Sequence, residues 1–196
     1  MEVQQHGNLY EDIVITLLTG MSKLTLDNSY TSTWDIPPGI SGELPVSIKS
    51  TGCESVACSD ILRMVSHNNY KLVVGKYKQV GKEKHFYKQY TFTITPKDMK
   101  RLWGDINIDT ITPFVEFVRN IPAGREAQQA TKQQRDIMKS QLQLSGGIFT
   151  INPKVDSKKQ RRVQCSVTLS NLIASGVEYT IEDINYSISS SQRVFN

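Results

Sequence analysis

An α/β fold, with a mixed β-sheet flanked by helices, is predicted by three features of the chain. The first is the order of its signals, which over residues 8–103 run helix, strand, strand, helix, strand, strand, helix. The second is one long hairpin pattern, Tyr70–Val80 and His85–Ile94 about a Gly81-Lys82-Glu83-Lys84 turn. The third is bulk composition: 196 residues with 38% hydrophobic and 21% charged side chains. That is enough apolar material for one well-packed domain and too much for general disorder.

Asn8 with Glu11 reads as an N-cap and its capping-box partner. Leu9, Ile13, Leu17 and Met21 follow at helical spacing towards Gly20 or Lys23. Glu11 lies at the border of that apolar stripe, either as the capping carboxylate or facing a cleft between helix and sheet. After the Asp27-Asn28-Ser29 turn, Tyr30–Ile36 reads as a strand stopped by Pro37-Pro38-Gly39. Leu44–Thr51 is a second strand, with Val46 and Ile48 on one face and Ser47 and Lys49 on the other. Ser59 is expected to cap a helix from Asp60 to about His67. Thr95-Pro96 with Asp98 opens another helix, which runs to Trp103.

Beyond residue 105 the pattern is less regular. Thr112–Asn120 reads as a short helix and Ala123–Leu144 as a polar surface helix. Ile148–Val155 and Val163–Leu169 read as strands about a basic turn, and Tyr179–Ile188 as a final strand.

Charge is unevenly spread about a net of +4. Residues 1–35 contain Glu2, Glu11, Asp12, Asp27 and Asp35 against Lys23, whereas residues 119–164 carry ten bases and three acids. A basic second half implies an anionic partner, or else a solvated face. No apolar run approaches the length of a membrane span, and the N-terminus lacks a secretory pattern. Cys53, Cys58 and Cys165 are odd in number and poorly spaced for zinc. They are expected to be reduced thiols in an intracellular, cytoplasmic protein.

The chemistry concentrates at Trp34–Thr51. Asp35 closes one strand, and Ser47-Ile48-Lys49 sits inside the next. If the strands are neighbours, carboxylate and ammonium reach one point. A metal there would lower the pKa of a bound water for phosphodiester attack, and a lysine would position that water or stabilise developing charge. A purely structural alternative has Asp35 capping the turn before Pro37 and Lys49 snorkelling from an edge strand.

This order of helix, strand ending in Asp, strand with x-x-Lys, helix and strand resembles the PD-(D/E)xK nucleases, over roughly residues 8–80. Many type II restriction endonucleases and Holliday-junction resolvases belong to that group. The resemblance implies a restriction-endonuclease-like mixed sheet and a Mg²⁺ cofactor. It makes Asp35 a metal ligand, Ile48 a metal-binding carbonyl, Lys49 the residue that assists the attacking water, and Glu11 the helix glutamate beside them. Ser47 departs from the pattern, since the family usually has an acid there. Some restriction enzymes recover the acid from the following helix, and here Asp60 is the better candidate, ahead of Glu54.

The reading is therefore one nuclease-like domain over residues 1–196. Its catalytic core spans about 8–104, and a basic hairpin and helical elaboration over 105–196 contacts DNA. Lys154, Lys158, Lys159, Gln160, Arg161 and Arg162 fit a hairpin tip that enters a groove, cations on phosphates and Gln or Arg on base edges. The alternative is a solvated hairpin whose charges guard a sheet edge. Arg125, Lys132, Arg135 and Lys139 recur at near-helical spacing and could follow a backbone. The expected function is a Mg²⁺-dependent endonuclease on double-stranded DNA, most like a type II restriction enzyme acting as a homodimer. Its rivals are a junction resolvase, a non-catalytic DNA-binding protein on a nuclease-like scaffold, and an interaction protein that never meets DNA.

Overall fold

Two sheets, each with its own helices, make the chain a mixed α/β protein. A computed structural model describes residues 5–26 and 34–189. The chain divides into two compact units interleaved in sequence. The first comprises residues up to Val56, Asn69–Ile94 and Val177 onward, and the second Ala57–Asn68 and Thr95–Gly176.

The first unit is a four-stranded mixed sheet with one helix on it. Its strands are β1 (Val46–Thr51), β3 (Tyr70–Val80), β4 (Glu83–Ile94) and β7 (Glu178–Ser189), in the order β1-β3-β4-β7. β1 and β3 run parallel, with Lys49 opposite Val74, and the other pairs are antiparallel. The tight β3–β4 turn uses Gly81 at φ 57, a conformation that costs glycine least.

Helix α1 (Gln5–Thr19) lays Tyr10, Val14 and Ile15 on Ile36, Val46, Ile48, Val73, Phe86 and Ile188. The Tyr10 ring stacks on Phe86 at 4.3 Å, and its hydroxyl donates to buried Gln89 at 2.9 Å. A Cβ on Gly75 would fall inside that ring, so the closest helix-to-sheet approach depends on glycine there.

The second unit has a three-stranded sheet, β2 (Ser55–Asp60), β6 (Arg161–Thr168) and β5 (Thr150–Val155), in the order β2-β6-β5. Around it lie α2 (Ile61–Val65), α3 (Met99–Trp103), α4 (Ile108–Arg119), α5 (Arg125–Ala130), α6 (Lys132–Leu144) and α7 (Leu169–Ala174). Alternate residues Val163, Cys165 and Val167 of β6 are buried, as a one-sided sheet requires. Trp103 stacks on Phe149 at 4.3 Å. At the start of the Pro96–Asp98 turn, Asp98 accepts from Thr95 N and Thr95 Oγ1, at 2.9 and 2.6 Å, and from Arg101 Nη2 at 2.8 Å. Burial opposes its charge, but these partners outweigh it and hold the carboxyl below its usual range.

The elements depart from expectation in identifiable ways. α1 begins at Gln5, so Asn8 lies within the helix rather than at its cap. The expected strand from Tyr30 falls mostly outside the described residues, and its end survives as a single antiparallel bridge, Ile36 to Val46. β2 and α7 have no counterpart in the sequence pattern. β2 has one short apolar stretch, Val56-Ala57-Cys58, and pairing with β6 supplies what propensity does not. Ser59 takes a positive φ of 78, and Asp60 instead caps α2. α4 starts a turn earlier than predicted, because Asn107 and Thr110 form a capping box and Pro113 is tolerated behind it. The polar helix is two, α5 and α6. Among the described residues Cys53, Cys58 and Cys165 form no disulfide. Among the described residues, no helix is long and apolar enough to cross a membrane.

Candidate functional site

β1 lies at the end of its sheet, and among the described residues no strand pairs with its outer edge beyond Val46. The bridge is closed by Ile36 N on Val46 O at 3.1 Å and Val46 N on Ile36 O at 2.9 Å, with Asp35 N also on Val46 O at 3.0 Å. Two residues along β1, the outward N–H and C=O of Ile48 need partners.

Side chains provide them. Ile48 N donates to Asp35 Oδ2 at 2.5 Å, and Lys49 Nζ donates to Ile48 O at 2.9 Å. Lys49 Nζ also pairs with Asp35 Oδ2 at 3.2 Å, and Ser47 Oγ donates to the same oxygen at 3.5 Å. At Ile48 the edge of β1 is thus met by a carboxylate and an ammonium.

Glu11 reaches this point from α1. Its carboxyl lies against that of Asp35, and its Oε1 pairs with Lys23 Nζ at 2.7 Å. Burial first, and then the Asp35 charge, push the Glu11 carboxyl above the ordinary glutamate range; Lys23 opposes this without cancelling it. Side chains of Glu11, Asp35 and Lys49 are 16%, 22% and 19% exposed, so solvent screens the cluster only partly. Lys23 itself is held by its N–H on Asp12 Oδ1 at 2.8 Å.

Of the residues singled out from sequence, Glu11, Asp35, Ser47, Ile48 and Lys49 come together. Asp60 belongs to the second unit, where its Oδ1 accepts from Arg63 N at 3.2 Å and caps α2. Glu54 pairs with Lys76. Lys23 joins the cluster without a clear signal in the sequence, beyond being the single base among the first 35 residues.

The donors in the cluster are two carboxylates and a main-chain carbonyl, oxygen atoms only. Mg²⁺ takes such donors, typically with one or two carboxylates and several waters. Among the described residues there is no group of three or more His, Cys, Asp or Glu side chains able to hold a metal. The donor set thus falls short of a closed protein cage, and a cation held there would keep several waters.

The basic hairpin lies in the second unit. Lys154 faces Arg162, and Val155 faces Arg161, across β5 and β6. Asp156 closes the tip by accepting from Lys158 N and Gln160 N, both at 2.9 Å; those N–H groups, Gln160 foremost, hold its carboxyl below the usual range. Lys154, Lys158, Lys159, Gln160 and Arg162 are exposed.

Arg161 is not available in the same way. Its guanidinium donates to the carbonyls of Ile121 at 2.7 Å, Asp156 at 2.8 Å, Gln160 at 2.7 Å and Pro122 at 2.5 Å, and its side chain is 9% exposed. It ties the hairpin to the end of α4.

No family model matches the chain, and comparison with curated proteins and with solved structures likewise gives no match.

Proposed function

We propose that the chain is a Mg²⁺-dependent endodeoxyribonuclease that hydrolyses phosphodiester bonds in duplex DNA, most like a type II restriction enzyme. The observation that carries this reading is the meeting of Asp35, Lys49 and Glu11 at the Ile48 peptide on the outer edge of β1. Asp35, the Ile48 carbonyl and Glu11 would hold the cation. When bound, it polarises a phosphoryl oxygen and lowers the pKa of a coordinated water.

The chain's own groups do the rest. Lys49, fixed on Ile48 O and Asp35, presents donors to the attacking water and to the phosphoryl oxygen where charge develops. Ser47 helps orient Asp35, and Lys23 keeps Glu11 on the cluster. Lys154, Lys158, Lys159 and Arg162 would fix backbone phosphates and Gln160 a base edge, with Arg161 as the strut behind them. A homodimer would match the symmetry of a palindromic site.

A second reading, a DNA-binding protein without cleavage, has one observation in its favour. Ser47 stands on β1 where the resemblance calls for an acid, and Asp60, the residue expected to replace it, is occupied in capping α2.

Incubation with supercoiled plasmid and Mg²⁺ decides between them. Discrete bands are expected; cutting confined to four-way junctions would favour a resolvase, and binding without cutting in Mg²⁺ or Mn²⁺ would leave only the scaffold. Asp35→Ala and Lys49→Ala should each abolish cleavage and spare DNA binding, and wild-type rates in either would remove that residue from the site.

A further inference from the structure

A cationic groove of the second unit lies between α5, α6 and the outer edge of β5. The groove holds about 480 Å³ and is lined by Gln128, Lys132, Arg135, Asp136, Lys139 and Lys154, among others. Its walls are anchored. Gln143 of α6 accepts from Ile151 N at 3.1 Å and donates to Phe149 O at 2.8 Å, and Gln128 of α5 donates to Val155 O at 2.9 Å. Side-chain amides thus replace the strand that β5 lacks, which holds the helices at a fixed distance from it.

Within the groove the charges are unbalanced. Lys132, Arg135 and Lys139 recur along one face of α6, and Lys154 faces them from β5. Among the described residues none of the four forms an ion pair with a carboxylate, and Asp136 is the acid that shares the lining.

Arg135 is the informative member. It is 8% exposed, and Nη2 donates to Gln128 O at 2.7 Å, while Nε has no hydrogen-bond partner. A buried guanidinium with an unmatched charge and an unmatched donor is costly unless an anion completes it. Lys154 and Arg162, directly opposite across the β5–β6 ladder, add a like-charge pair that also weakens the isolated fold. Both costs fall when an oxyanion enters.

We propose that this groove is a phosphate-binding site, taking a phosphoryl group between the Arg135 guanidinium and the ammonium groups of Lys132, Lys139 and Lys154. Guanidinium and ammonium donors match phosphate oxygens in charge and number. The phosphate belongs to a nucleic-acid strand or is free in solution, and the site's chemistry is the same for both. The inference does not rest on cleavage at Asp35.

The test is calorimetric titration of the full chain with inorganic phosphate, against chloride at equal ionic strength and without Mg²⁺. The side-chain Nε–H resonance of Arg135 is followed alongside. Saturable binding with a shift of that resonance is expected. K139Q/K154Q, which changes rim residues and leaves Arg135 to hold the fold, should weaken binding by about tenfold or more, on the scale of one charge-assisted hydrogen bond. Asp136→Asn should tighten it.

Short duplexes then assign the source. Competition by a 5′-phosphorylated duplex alone indicates a terminal phosphate, competition by hydroxyl-ended duplex also indicates the diester backbone, and competition by neither leaves free phosphate. The site is refuted if phosphate binds no better than chloride, or if K139Q/K154Q binds as wild type does. Repeating the titration with Asp35→Asn keeps failure here distinct from failure of the nuclease reading.

Discussion

At Asp35 one carboxylate oxygen serves the fold and the proposed chemistry together. It receives Ile48 N–H and faces Lys49. Asp35→Ala removes an edge acceptor and is expected to cost about 1–3 kcal/mol of stability as well as activity. Asp35→Asn keeps an oxygen for Ile48 N while losing the charge. It should retain most stability, which chemical denaturation measures, and still lose cleavage by about a hundredfold or more. The two substitutions together separate a structural aspartate from a reacting one.

Glu11 makes a prediction with a definite sign. Its carboxyl titrates higher in the folded chain than in the unfolded one, so over that interval the folded state binds more protons. Stability from this group is therefore fully present at pH below the ordinary glutamate value, falls as pH rises to the raised value, and is constant above. Glu11→Gln removes that decline. Melting curves should show the variant more stable than wild type at about pH 8, with the gain vanishing near pH 4, close to the unperturbed value. Added Mg²⁺ should stabilise wild type at pH 8 and leave Asp35→Asn unmoved. An equal shift in both would remove the cation from this site.

At the scale of elements, the position of Glu11 depends on how closely α1 lies on the sheet. Gly75 sets that distance through Tyr10. Gly75→Ala should cost about 1–3 kcal/mol by overpacking and should also lower cleavage, since lifting α1 carries Glu11 away from Asp35. A variant that is destabilised yet fully active would show that Glu11 is dispensable.

The β5–β6 hairpin has an analogous strut in Arg161. Arg161→Lys cannot reproduce four carbonyl contacts with one ammonium. It is expected to loosen the hairpin and weaken DNA binding without changing how that binding falls with salt. Lys158→Gln or Lys159→Gln should reduce the salt slope by about 0.9 for each phosphate that is no longer neutralised.

Across the whole molecule, local pattern was legible and long-range pairing was not. The long hairpin, the Ser47-Ile48-Lys49 strand and the basic turn were all readable, because alternation and turn chemistry are local. Asp35, Ile48 and Lys49 were readable as neighbours for the same reason, since few residues separate their strands. The division of strands between two sheets was hidden. β2 joins β6 across about a hundred residues, and nothing in Val56-Ala57-Cys58 announces its partner. Glu11 was ambiguous because its capping alternative turned on where α1 begins, and helix starts are poorly marked when the cap is not Asn8. The basic stripe Lys132, Arg135 and Lys139 was readable, but the groove was not, since a buried arginine in a polar helix looks like any solvated one until its burial is known. Asp98, by contrast, declared itself through Thr95-Pro96, and Asp98→Ala should cost about 1–3 kcal/mol, because it leaves Thr95 N–H and Oγ1–H without their buried acceptor.

The return of the chain to the first unit after Gly176 has a kinetic consequence. Ile188 of β7 packs in the same cluster as Tyr10 of α1, so the layer that presents Glu11 to Asp35 joins contacts separated by most of the chain. Such high contact order makes for slow closure. During synthesis, which runs from the N-terminus, α1, β1 and β3 emerge long before β7. The half-built sheet has an exposed β4 edge until then, and the candidate site stays loosely assembled. A ribosome-bound chain halted before Glu178 should therefore be protease-sensitive around Glu11 and unable to cut DNA, and release of the full chain should restore both protection and activity.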